Sequence, residues 1–431
     1  MLDVIIVGAG FAGLSAAMDL ANAGLKICLL EAQDRVGGKV ESAVLSGGQR
    51  IDTGGQFFSR DMTNLMHLIQ ETGREVATTH YTGNTAYQPA ISAEVGEAQW
   101  QGVSALRRRM AATDLTDTGL AGLSVADWVA RQHDMPQEAT EGFLRMVKGL
   151  WCKDPAEVQC LYLANNDRRI TGSHSEMEMF LPDTVHALAE EMAAPVGPHL
   201  SLRTPVCRII YEAGRVSVEA EGSRLQAKRL VLALPPTIAR RLEYSPPLPP
   251  SLQKALAAWS PGEAIKLRVT FERPFWRDHG LSGEIMWSMP QGLYACDASD
   301  DRHAGLAVFI GGPEAKQWHR RSKGELKAFI SSQLREIFGN AARDIREIHI
   351  RDWVDDRWSG GAYSDVIVMP DATDAEDILR RGHKPIYFAS SELALSFPGY
   401  VEGAIVAGRK VAKDVLGDLP ASDYHTRAAF R

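Results

Sequence analysis

The sequence predicts an α/β protein: a Rossmann-type dinucleotide-binding domain interwoven with an α+β substrate domain of mixed sheet and helices. Three observations carry that expectation. Residues 4–7, "VIIV", form a short unbroken apolar run, the mark of a strand buried on both faces of a parallel sheet. "GAGFAG" follows and opens into "LSAAMDLANAG", apolar at helical spacing and closed by Gly24. Far downstream, "KPIYFASSE" and "GAIVAGRKVAKDVL" repeat the strand–loop–helix order.

The elements between follow in turn. "KICLLEA" (26–32) restores a strand and completes a βαβ unit. From about 61 to 200 helical patterns dominate: "DMTNLMHLIQETG", "SVADWVARQHD", "PQEATEGFLRMVKGLW" and "DTVHALAEEMAA". Residues 201–234 alternate as strands, with turn signals at Ala213-Gly214 and Glu221-Gly222. The Pro-rich "SPPLPP" (245–250) marks a joint; "AIKLRVTF" and "GLAVFIGG" then read as strands and "KGELKAFISSQLREIF" as a helix. The chain is therefore expected to cross between domains several times. Segments 1–76, 182–255 and 356–420 are assigned to the dinucleotide domain, 77–181 and 256–355 to the substrate domain, and 421–431 to a tail.

Composition narrows the class. A chain of 431 residues with 45% apolar and 23% charged residues is long enough for more than one core and ordinary for a soluble protein. A net charge of −7 argues against nucleic acid, and Arg107-Arg108-Arg109 reads as a solvated helix face. No apolar run approaches the roughly 18 residues of a membrane span. Met1 runs almost directly into "DVIIVGAG", which leaves no room for a signal peptide, so the expected location is cytoplasmic. Five cysteines without a C-x-x-C pair fit a reducing compartment, with neither a disulfide framework nor a metal site. A homodimer stays an open option.

The chemistry begins at Gly8-x-Gly10-x-x-Gly13. Gly8 permits the tight turn, Gly10 lets backbone approach a pyrophosphate, and Gly13 lets the helix pack closely on the strand. The helix start, with Phe11 and Ala12, presents free N–H groups and the positive end of the dipole. Glu31 is the acid expected about twenty residues on to hold a ribose hydroxyl pair, which disfavours a 2′-phosphate. These features alone leave NAD and FAD open. "EAQDRVGGKVES" and "IDTGGQFF" each place a glycine pair after a strand, where backbone can approach something large and flat.

Taken in order, these pieces resemble the flavin-containing amine oxidase family, monoamine oxidases above all. The resemblance covers nearly the whole chain and is loosest from about 77 to 175. It rests on Asp52, Gly54 and Gly55; on Val206 in "TPVCRI"; on Phe388-Ala389-Ser390-Ser391-Glu392; and on Gly399-Tyr400-Val401-Glu402-Gly403-Ala404. It implies FAD, with the pyrophosphate at Gly8–Gly13, adenine beside the backbone of Val206, and the flavin ring near Gly54, Gly55, Tyr400 and Val401. The helix start read at Gly403 would face the ring's C2 carbonyl. Further contacts to the same cofactor are expected from Ala32, Arg35, Gly38, Lys39, Gln56, Phe57, Trp353, Ser391, Glu392 and Ala404.

The resemblance also implies three catalytic residues. Tyr363 in "WSGGAYSD" and Tyr400 match the two walls of an aromatic cage for the amine, and Lys266, a charge within the apolar strand "EAIKLRV", matches a lysine that holds a water beside flavin N5. Where many relatives carry a cysteine bonded to the flavin this chain has Ala362, so the FAD is expected to be non-covalent. Other departures are Lys39 for an arginine and Ser390-Ser391 for Gly-Thr. Trp287, Trp353, Trp358 and Phe397 are candidate cleft linings. Arg60 is the remaining candidate for gripping a substrate carboxylate, and Glu176 and Glu178, read as one strand face in "SEMEMF", are candidates for a second cation.

The expected function is FAD-dependent oxidation of a small-molecule amine to an imine, which hydrolyses to an aldehyde or ketone. A hydride equivalent passes to flavin N5, and O2 reoxidises the flavin with release of hydrogen peroxide. Two alternatives stay open: a C–C desaturase of the same fold, and a non-catalytic, flavin-stabilised binding protein.

Overall fold

The computed structural model describes residues 1–220 and 222–420. The tail expected at 421–431, and Glu221 of the expected turn, lie outside the described residues.

Among the described residues, eight strands form one sheet in the order Glu243–Ser245, Val206–Glu212, Arg215–Ala220, Ser223–Leu232, Leu2–Val7, Ile27–Leu30, Leu200–Ser201, with Ile386–Phe388 also paired to Ser223–Leu232. The apolar run at the start explains its central strand. Ile5 and Val7 enter the hydrophobic cluster on one face while Val4 and Ile6 enter the cluster on the other. Alternation puts successive side chains on opposite faces, and here both faces are covered. Helices Phe11–Asn22 and Val401–Asp418 pack together over one of them.

Register decides where a ligand can sit. Val7 pairs with Leu30 and Leu232, and Leu232 pairs with Phe388, so four parallel strands end together. Gly8, Glu31, Ala233 and Ala389 follow at that edge, the carboxyl end where open α/β sheets bind ligands.

The second sheet has six strands among the described residues, ordered Glu347–Asp352, Ala264–Phe271, Ala304–Gly311, Leu293–Asp297, Leu281–Trp287, Asn84–Gln88. It is antiparallel except at Asn84–Gln88, an edge strand that sequence reading missed. Its register sets one row across five strands: Lys266, Phe309, Tyr294, Met286, Tyr87.

Three local expectations are corrected. Helix Ala93–Ala111 was foreseen only at its end, as the solvated face of Arg107–Arg109, because Gly96 and Gly102 interrupt the pattern before it. Both are contact points: a Cβ at 96 would lie 2.4 Å from the Tyr87 ring, and one at 102 would lie 2.5 Å from Ala139 Cβ. "SEMEMF" is a strand only at Met179–Phe180; residues 175–178 form a turn that separates Glu176 from Glu178. The last helix starts at Val401, with Tyr400 as its N-cap, so Gly403 lies inside the first turn. A Cβ there would come 2.2 Å from the Phe397 carbonyl, so that glycine serves the turn's own packing.

Candidate active site

One cavity of about 1450 Å³ runs from the carboxyl edge of the first sheet to the face of the second that carries Lys266 and Phe309. At the first end Gly8 sits at φ +100°, and a Cβ on it would meet the Ala233 carbonyl at 2.5 Å. A Cβ at Gly13 would lie 1.8 Å from the Gly8 carbonyl, so this glycine holds the helix against the turn and does not face the cavity. A Cβ at Gly10 would meet nothing closer than 3.8 Å; beside it Phe11 and Ala12 line the cavity where a helix leaves its first amides unpaired. The Glu31 carboxylate accepts hydrogen bonds from the amides of Ala9 (2.7 Å) and Gln33 (2.9 Å), while burial raises its carboxyl above the usual range. Ala32, Gly38 and Val206 complete this end. An open glycine cradle, a helix N-terminus and a fixed acid together fit a dinucleotide.

Arg35 does otherwise than expected. Its guanidinium donates to the carbonyls of Val36, Gly38 and Val40 and pairs with Glu41, so it braces its own loop away from the cavity wall. Lys39 lines the cavity, but its ammonium sits 3.3 Å from Glu392 and 3.5 Å from Asp365. Burial pulls that ammonium down, yet the two carboxylates outweigh it and hold it above its ordinary value. Glu392 also accepts from the Asp365 amide at 3.1 Å and from Ser364. Ser391 donates to the other Glu392 oxygen.

This network ties together the two segments that carry the expected cage. Tyr363 follows Ala362 through a cis peptide and receives its next residues from Glu392's grip; Tyr400 follows Gly399. Gly399 adopts φ +85°, and a Cβ on it would lie 3.3 Å from the Ser364 side chain, so the two segments touch beside their tyrosines. Both rings line the cavity. Tyr363 sets its ring edge-on to Phe309 at 5.9 Å and Tyr400 edge-on to Phe397 at 6.1 Å. Burial holds both phenols well above their ordinary value, so they remain protonated.

Beside Phe309, Lys266 Nζ donates to the Gly54 carbonyl and to Gln56 Oε1, each at 2.8 Å. Burial brings its ammonium down to about 8, although Asp52 resists; burial in turn lifts Asp52 to about 7. Gly55, Phe57, Val401 and Ala404 line the same stretch, and Trp353 is fixed by its indole N–H on the Thr53 carbonyl at 3.0 Å.

The substrate half holds groups that sequence reading missed or misplaced. Arg107, read as solvated, is partly buried, lines the cavity and pairs with Glu176 at 2.7 Å and Asp167 at 3.7 Å. A helix was expected here, but which of its faces turns inward is set by packing and not by the run of arginines. Arg60 pairs with Glu178 outside the cavity wall. Trp287 and Trp358 line the cavity, while Phe397 is core. Glu284 and Tyr294 also face it. A carboxylate inside the apolar strand "SGEIMW" is the same signal that singled out Lys266.

A dinucleotide cradle that opens into an aromatic-walled cavity with a desolvated lysine defines the class: a flavin-dependent oxidoreductase acting on amines. The family model described as flavin containing amine oxidoreductase matches residues 11–416, and the chain belongs to that family, whose cofactor is FAD. It is 29% identical to a putrescine oxidase of Kocuria rosea, covering 96% of this chain and 95% of the relative. It is 27% identical to an L-amino acid dehydrogenase of Synechocystis sp., covering 97% and 95%. Among solved structures, a wild-type putrescine oxidase bound to putrescine superposes with a TM-score of 0.88 at 26% identity, covering 96% of this chain and 99% of that one. No described helix is long and apolar enough to cross a membrane.

Proposed function

We propose that the chain oxidises a neutral amine held between Tyr363 and Tyr400. The observation that carries this reading is the joining of the two tyrosine segments through Glu392, Asp365 and the Gly399–Ser364 contact, on the wall of a cavity continuous with the dinucleotide cradle. Bound FAD supplies the two-electron acceptor for the hydride equivalent that leaves the carbon next to nitrogen. The protein's own contribution is placement. The phenols stay protonated and so act as walls rather than bases, and the apolar surroundings of Phe309 and Trp353 favour the uncharged amine over its ammonium form. Lys266, fixed by Gly54 and Gln56, keeps an N–H free to hold a water, and in this reading it assists reoxidation by O2. The imine product hydrolyses after release. Ala362 and the buried Cys152 thiol, raised to about 12 by burial, leave no thiolate for a covalent link, so FAD is held non-covalently.

Amino acids fit less well. Arg107, the cation near Tyr400, is already matched by Glu176 and Asp167. The test is anaerobic mixing of the holoenzyme with primary, secondary and diamine substrates while following the flavin absorbance. Bleaching by at least one amine is expected. Reduction by dithionite but by no amine would point to a non-catalytic flavoprotein. Bleaching only by a substrate that yields a carbon–carbon double bond would point to a desaturase.

A further inference from the structure

The substrate half of the cavity carries an uneven charge pattern. Arg107 is paired with Glu176 and Asp167, and Arg145 with Glu141 at 3.7 Å. Glu97 lies on the exposed rim. Glu284 differs from all of these. Its partners are neutral hydroxyls, Thr85 Oγ1 at 2.6 Å and Tyr294 OH at 2.9 Å, and no described cation lies within 4.0 Å of it. A carboxylate on a partly buried, tyrosine-walled surface keeps its charge most cheaply when a cation arrives. Burial first and the Glu284 charge second hold the Tyr294 phenol above its ordinary value, so Tyr294 stays a hydrogen donor to it.

Position gives the charge a use. Glu284 lies two residues before Met286, in the row of side chains that starts at Lys266 and passes through Phe309 and Tyr294. Phe309 takes the edge of Tyr363, and Tyr294 stacks on Phe309 at 6.3 Å. Strands lie about 4.8 Å apart, so the strand of Glu284 runs about 10 Å beyond that of Phe309. A substrate that reaches from the Tyr363 end of this row to Glu284 must therefore span more than one strand spacing, a reach that several methylenes supply.

We propose that Glu284 anchors a second cationic centre of the substrate, so that the enzyme prefers diamines spaced by several methylenes over matched monoamines; this rests on the amine-oxidation reading above. The same site would reject substrates that bring a carboxylate to that wall.

The test compares anaerobic flavin reduction of the holoenzyme by putrescine, cadaverine and hexamethylenediamine with butylamine, pentylamine and hexylamine. Wild type should favour the best diamine over its monoamine by about tenfold or more, and Glu284→Gln should lower that ratio about ten- to a hundredfold. Glu284→Asp draws the carboxylate back by one methylene and should move the optimum to a longer diamine. FAD content and melting temperature of each variant show that it folds. A wild-type ratio near one while monoamines still bleach the flavin would overturn the proposal, as would a ratio unchanged in Glu284→Gln or an optimum unmoved in Glu284→Asp. If no amine bleaches the flavin, the amine-oxidation reading falls first, and the two failures are distinguishable.

Discussion

Replacing Lys39 by methionine removes the cation between Asp365 and Glu392, whose side chains are 0% and 2% exposed. Stranding a buried charge by deleting its partner costs about 3–5 kcal/mol. Lys39 itself is 20% exposed, so the lower end, about 3 kcal/mol, applies here. At about 2–4 °C per kcal/mol, the variant should melt about 6–12 °C lower than wild type. The pH dependence gives the cause away. Lys39 is held above its ordinary value, so its stabilisation is complete at neutral pH and fades only in alkali. Glu392 is held below its ordinary value by Lys39 against the pull of burial, so its share is present above the usual carboxylate range and fades as pH falls. The deficit of Lys39→Met should thus be full near neutrality and shrink as acid protonates the carboxylates. Thermal melts of FAD-saturated protein across pH test this, with Lys39→Arg retaining most of the stability. A variant that melts with wild type, or a deficit that stays constant down to about pH 4, would refute the reasoning.

Other perturbations follow from the same geometry. Gly13→Ala puts a methyl 1.8 Å from the Gly8 carbonyl, so the helix must shift at about 1–3 kcal/mol, and the purified protein should carry less FAD. Lys266→Met should slow reoxidation by O2 by about 10²-fold in stopped-flow while leaving anaerobic reduction by amine within a few-fold. Acid denaturation should release all the flavin into the supernatant, because Ala362 offers no thiol to bond it. Tyr363→Phe combined with Tyr400→Phe keeps both ring walls and should leave anaerobic flavin reduction by amine within a few-fold of wild type, whereas a phenol acting as a base would show a much larger loss.

Legibility in the sequence followed how local each signal was. The strand at 4–7, the glycine turn and Glu31 could be read because one short segment contains both the cause and the element it forms. Lys266 stood out because a charge in a fully buried strand has few explanations. Arg35 and Lys39 were assigned to the cofactor by resemblance, and the structure adds partners no local pattern reveals: a loop's own carbonyls for Arg35 and two carboxylates more than 300 residues away for Lys39. The first part of helix Ala93–Ala111 stayed hidden because its glycines are chosen by Tyr87 and Ala139, which no local pattern reveals. Arg107 was misplaced because facing the cavity is a property of helix packing, whereas Glu284 carried the local signal of a charge in an apolar strand and was passed over.

The central claim is that Tyr363 and Tyr400 form the walls between which an amine is oxidised. Its most direct test is the anaerobic rate of flavin reduction by the best amine, measured for wild type, Tyr363→Leu and Tyr400→Leu at equal FAD occupancy. Loss of either wall should lower that rate by about 10²-fold, because the reacting carbon is no longer held in place. Rates unchanged in both variants would contradict the account.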